Sequence, residues 1–215
     1  MTTESAATLY PARLEVDYPD EHDRMSTAFR LILAIPIGIV LALLTAGATS
    51  TVYNESGRVV RQTSGGVAAG LFVATLVMIV FRQRYPRWWF DFALELARFS
   101  ARVGAYLGLL TDQYPSTVDE QSVHLDVDYP DAERDLNRWL PLVKWLLVIP
   151  HLLILIVLSV GVLFAVVVAW FAILITGHYP RALFDFVVGV ARWWLRVEAY
   201  AFLLVTDRYP PFSLT

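Results

Sequence analysis

From Trp139 to Thr176 the chain runs for 38 residues with Lys144 as its only fixed charge. As one helix this run would be about 57 Å long, nearly twice the ~30 Å hydrocarbon core of a bilayer. A tight hairpin at Ser159-Val160-Gly161 resolves the mismatch, giving spans at about 139–158 and 161–177. Two earlier apolar runs, about 29–48 and 66–82, are each close to one crossing in length. The expected fold is therefore an all-α integral membrane protein with four transmembrane helices arranged as two hairpins. Composition agrees: 57% hydrophobic and 17% charged residues in 215 leave more apolar side chain than a soluble domain of this size buries.

The chain also repeats itself. Leu14-Glu15-Val16-Asp17-Tyr18-Pro19-Asp20 returns as Leu125-Asp126-Val127-Asp128-Tyr129-Pro130-Asp131, and Ile35-Pro36 as Ile149-Pro150. Tyr85-Pro86-Arg87 returns as Tyr179-Pro180-Arg181, Phe90-Asp91-Phe92 as Phe184-Asp185-Phe186, and Thr111-Asp112-Gln113-Tyr114-Pro115 as Thr206-Asp207-Arg208-Tyr209-Pro210. These matches divide the chain into tandem parallel repeats, 1–115 and 116–215. The offset falls from 114 at Ile-Pro to 94 at Tyr-Pro-Arg, so the first repeat carries twenty additional residues between its apolar runs. They form the polar stretch Thr49 to Gly66, with Asn54, Glu55, Arg58 and Arg61, which reads as a water-exposed loop. Pro36 and Pro150 fall inside the first span of each repeat, where a missing donor kinks a helix. The Leu-X-Val-Asp-Tyr-Pro-Asp segments alternate apolar and polar residues and then stop at a turn, as short juxtamembrane strands that pair would do.

After each Tyr-Pro, charges recur at helical spacing: Arg87, Asp91, Glu95, Arg98 and Arg102, then Arg181, Asp185, Arg192 and Arg196. Trp88 and Trp89, and later Trp193 and Trp194, lie on the same segments. A charged stripe beside a broad aromatic face describes an amphipathic helix in the plane of the interface, here about 87–111 and 181–206. The arginines and tryptophans named are the expected contacts with anionic membrane lipids, or with a membrane-protein partner or second copy. Because most arginines flank the apolar runs, the positive-inside rule puts both termini in the cytoplasm of a multi-pass protein. Residues 1–24 lack a basic segment followed by an apolar core, so no cleaved signal peptide is expected.

Several function classes lose support. A net charge of −3 without a concentrated basic face gives no footprint for nucleic acid. With no cysteine there is no thiolate nucleophile or thiolate metal site. His22, His124 and His178 show no metal-ligand spacing, and no phosphate-binding loop or nucleophile elbow occurs, so no catalytic residue, metal or cofactor is expected. The acidic residues around Asp17, Asp20 and Asp23 and their counterparts read as turns and ion pairs with Arg24, Arg134 and Arg138 rather than a cation site. His151 is the one candidate polar site inside a span, as a packing hydrogen bond or as a ligand or proton carrier; Ile37 holds its place in the first repeat. Lys144, matched by Arg30, reads as a side chain that snorkels to the interface.

The segments Arg138-Trp139-Leu140-Pro141-Leu142-Val143-Lys144-Trp145-Leu146, Ile149-Pro150-His151, Trp170-Phe171-Ala172-Ile173-Leu174 and Tyr179-Pro180-Arg181 carry a resemblance, together with the Phe-Asp-Phe and Thr-Asp-X-Tyr-Pro motifs. The chain resembles an actinobacterial family of small membrane proteins built on a domain of unknown function, often duplicated. The first repeat departs from the pattern at Met25, Thr27, Arg30 and Ile37. The resemblance implies a bacterial inner-membrane protein and carries no catalytic or binding residue. The expected function is a non-enzymatic membrane scaffold or accessory subunit. The alternative is a lipid-binding or lipid-handling protein, and the third reading an oligomeric channel or transporter.

Overall fold

A computed structural model describes residues 10–45, 49–53, 59–63, 66–117, 119 and 121–215. The elements run β1 (Ala12–Val16), α1 (Arg24–Thr45), β2 (Thr49–Tyr53), β3 (Val59–Thr63), α2 (Val67–Arg82), α3 (Arg87–Leu107), β4 (Val123–Val127), α4 (Pro141–Leu147), α5 (Ile149–Thr176) and α6 (Arg181–Ala201). Asn54, Glu55 and Arg58 lie outside the described residues. On either side of them, within the stretch expected to be a water-exposed loop, β2 pairs antiparallel with β3.

The architecture differs from four spans in two hairpins. Among the described residues only α5 is long and apolar enough to cross a bilayer alone; α1 qualifies only if its two bent halves count as one span, and α2 is a shorter apolar helix. The anticipated turn at Ser159-Val160-Gly161 is absent because α5 is continuous through it for 28 residues. A Cβ on Gly161 would stand 3.3 Å from Cζ of Phe186 on α6. Glycine there admits a neighbouring ring and leaves the helix unbroken. Pro150 sits in the first turn of α5, where its missing N–H costs no helical bond, and α4 ends just before it. Pro36 does lie mid-helix, and α1 bends by 41° where its proline ring crowds the preceding turn.

The two expected amphipathic helices form, and both pack against the rest of the fold. α6 returns antiparallel along α5: Phe186 meets Gly161, and Trp193 meets His151 further back. Twelve of its 21 residues are buried. α3 packs on α1 and β4. Both helices end sooner than the pattern of charges suggests, at Leu107 and Ala201. Just beyond each end, Leu109 and Leu204 adopt φ of 61° and 57°, left-handed values uncommon for leucine. Both leucine side chains are buried in the core, which holds the chain in this turn and delivers Thr111-Asp112 and Thr206-Asp207 inward.

The two halves interlock. β1 pairs antiparallel with β4, and Leu14 faces Leu125, the residue holding its own place in the second motif. Tyr18 Oη donates to Tyr179 O at 2.5 Å, while Tyr129 Oη donates to Tyr85 O. Arg192 of α6 donates to Leu14 O and Arg98 of α3 to Leu125 O, both at 2.9 Å. Each half thus clamps the strand of the other.

Candidate functional site

The most elaborate polar constructions are two buried cations, each built from the motifs matched in the sequence. Arg30 on α1 is enclosed, with its guanidinium carbon 4.2 Å from the centre of the Tyr106 ring. One of its nitrogens donates to Thr111 O at 2.6 Å and another pairs with Asp112. Asp23 caps α1 by accepting the Met25 amide at 2.9 Å, and its own amide donates to Asp112 Oδ2 at 2.7 Å. Lys144 on α4 repeats the plan: Nζ donates to Thr206 O at 2.7 Å, lies 2.8 Å from Asp207 Oδ1, and stands 4.9 Å from the Tyr200 ring centre. Asn137 accepts the Trp139 amide at 2.9 Å and gives its own amide to Asp207 Oδ2. Lys144 therefore does not snorkel. It is fully buried because a carboxylate and a carbonyl meet its charge inside the fold.

His22 distinguishes the first pair. Its side chain is completely buried, and Nδ1 lies 3.3 Å from Asp112 Oδ1. Burial alone would raise the Asp112 carboxyl, but hydrogen bonds from His22 and the Asp23 amide and the nearby Arg30 charge outweigh it and hold the group at about 2. Carboxylates so fully engaged are poor bases, and no serine or threonine hydroxyl is set against a free base at either pair. Each arrangement ties the turn after α3 or α6 to the helix that carries the cation.

His151, the expected polar site within a span, is buried on α5. Trp193 Nε1 donates to its Nδ1 at 3.0 Å, and Phe212 stacks on the ring at 4.0 Å with Tyr209 at 4.8 Å. The donated bond makes Nδ1 the acceptor, which leaves the neutral ring's proton on Nε2. That nitrogen has no partner among the described residues.

The expected surface contacts divide. Arg98 binds Glu95, Asp126 and the β4 backbone; Arg102 donates to Ser116 O at 2.6 Å; Arg196 donates to Ser213 O at 3.2 Å and to Thr215 O. With Arg192 on β1, these four tie the fold internally. Trp193 is buried, Trp89 is half-buried, and Trp194 is partly exposed while donating to Ser159 Oγ. Trp88 is exposed, as are Arg87 and Arg181, whose guanidinium groups stand over the Tyr129 and Tyr18 rings. No group of three or more His, Asp or Glu able to hold a metal ion occurs among the described residues. Sequence reasoning passed over Asp112 and Asp207. Their signal was the recurrence of Thr-Asp-X-Tyr-Pro alongside a cation recurring at Arg30 and Lys144.

Residues 139–213 match a family described as a domain of unknown function (DUF4389). The match takes in Lys144, His151, α5, α6 and Asp207. No curated protein and no solved structure matches the chain.

Proposed function

We propose that the protein is a non-enzymatic scaffold or accessory subunit inserted in a bacterial inner membrane. One observation carries the reading. Of the 28 residues in α5, only His151, Leu155, Ala165, Ala169 and Ile173 are buried, and the large side chains Ile156, Val157, Leu163, Phe164, Phe171 and Ile175 are exposed. At ~1.5 Å per residue α5 is about 42 Å long, enough to cross a bilayer. A core helix of a soluble protein would hide those residues, and an apolar surface of this extent on a monomer marks a membrane or a partner. Exposed Leu31, Ile35, Leu43 and Phe81 on α1 and α2 extend the same surface.

Both ends of the chain belong on one side of that membrane. Tyr10 donates to Arg196 O at 3.1 Å and Arg208 O at 3.2 Å, which supports neighbouring terminal segments. The arginines nearby, including Arg13 and Arg192, favour the cytoplasmic side. Exposed Arg87, Arg181 and Trp88 suit anionic lipid or an acidic partner surface.

Extraction with alkaline carbonate should leave the protein in the membrane pellet, and purification in mild detergent should retain a stoichiometric protein partner or a second copy. A chain released by carbonate overturns insertion. A solitary monomer under all mild conditions overturns the scaffold. A second reading, lipid handling, is favoured by apolar space between α3 and α6.

A further inference from the structure

α3 and α6 part where they face each other, leaving two cavities of about 470 and 380 Å³. Each is in the ~300–1,000 Å³ range of small-molecule sites. Ala97, Ser100, Trp194 and Glu198 line both, so the two are chambers of one cleft with Glu198 at the partition. The first extends to Phe72 and Thr75 on α2, the second to Leu14 and Leu125 of the strand pair.

Among the described residues, Glu198 is the only charged side chain in either wall, and no hydrogen bond or opposite charge offsets the burial of its carboxyl. The neighbouring polar groups are already engaged. Ser100 donates to Leu96 O at 2.8 Å, Tyr85 to Leu203 O at 3.0 Å and Trp194 to Ser159 Oγ at 3.3 Å. A lone carboxylate against hydrocarbon is costly, so burial pushes the Glu198 carboxyl toward its neutral form until a cation meets it. This molecule meets that cost elsewhere with Arg30 and Lys144, but supplies no cation here. The residue in the matching place on α3 is Gly104, which lines the second chamber and has nothing within 4 Å of where a Cβ would stand.

We infer that the cleft binds a single-chain cationic amphiphile, with its alkyl chain in the chambers and its ammonium head between the Glu198 carboxylate and the Trp194 ring. The walls select hydrocarbon, the carboxylate selects positive charge, and an indole face adds attraction for an ammonium. The inference rests on the membrane setting proposed above for the supply of such a ligand. Its test uses purified protein, so a failure here leaves insertion standing.

Native mass spectrometry of the full chain in mild detergent, titrated with dodecylamine, dodecanol or dodecanoate, reads the selection directly. One dodecylamine should bind per chain at a concentration at least tenfold below that needed for dodecanol, with dodecanoate weakest. Glu198→Gln keeps the shape, removes the charge and should abolish the preference of amine over alcohol. Gly104→Leu fills the second chamber and should weaken amine binding at least fivefold. Equal binding of amine and alcohol by the unaltered protein overturns the inference, as does a preference that survives Glu198→Gln. Unchanged amine binding in Gly104→Leu overturns the placement in this cleft. Should Glu198→Gln fail to fold, the headgroup series and Gly104→Leu still decide the matter.

Discussion

The pair Arg30–Asp112 and the pair Lys144–Asp207 are built on one frame from different cations. In each, a cation from the first apolar helix of its half reaches a threonine carbonyl, an aspartate and a tyrosine ring, and an Asp or Asn ahead of that helix, Asp23 or Asn137, turns its own amide onto the aspartate. The guanidinium uses separate nitrogens for carbonyl and carboxylate, whereas the ammonium serves both from one point. His22 joins the first pair, and buried Leu136 occupies its place by the second. The lesson is that this fold needs a matched charge at the root of each apolar helix and tolerates either shape of cation.

The largest expected effect breaks the match. Asp112→Asn strands a buried guanidinium that cannot lose its proton, and should cost about 3–5 kcal/mol in denaturant unfolding in detergent. Asp207→Asn should cost less, because a stranded lysine can become neutral. A folded state that binds fewer protons than the unfolded chain gains stability as pH rises, so the Asp207→Asn deficit should shrink in alkali while the Asp112→Asn deficit persists. Equal deficits at every pH would erase the distinction between the cations.

Next in size are glycine substitutions that compare the helices of the two halves. Gly161→Leu drives a side chain into Phe186 and should cost up to about 3 kcal/mol. Gly70→Ala, on the corresponding apolar helix of the first half, meets nothing within 4 Å and should be neutral or stabilise by up to about 1 kcal/mol in the same unfolding measurement. A smaller effect follows from acid. Asp112 is held at about 2, below its ordinary 3.8, so its contribution is present above about pH 4 and is lost as pH falls from there toward 2. The loss should be about 2 kcal/mol in the unaltered protein and missing from Asp112→Asn. The smallest is Trp193→Phe, which removes the donor to His151 Nδ1 and should cost about 1 kcal/mol. Phe99 and Ile37 hold these places in the first half, where no such bond exists to lose.

The local elements were legible in the sequence, and the distant pairings were not. Alternation in the Leu-X-Val-Asp segments announced β1 and β4, and Tyr-Pro announced the starts of α3 and α6. Gly161 was ambiguous, since a glycine in an apolar run serves a turn and a close helix contact equally well; Phe186, which decides between them, is 25 residues away. Lys144 looked like a snorkelling residue because its partner Asp207 lies beyond two further helices. For the same reason the charged stripe of α3 suggested lipid, although Arg98 and Arg102 are spent on backbone carbonyls. Glu198 belongs to no motif. Its only signal was an acid near the end of α6 where the matched position on α3 holds glycine.

The reciprocal clamping of strands sets a timetable for biogenesis. Leu14 leaves the ribosome 178 residues ahead of the arginine that will hold its carbonyl, and its pairing partner in β4 also arrives late. Until then an early strand edge waits unprotected beside newly made apolar helices. A nascent chain arrested after its first half would therefore present an open edge to chaperones and proteases, and completion of the second half would be the event that closes it.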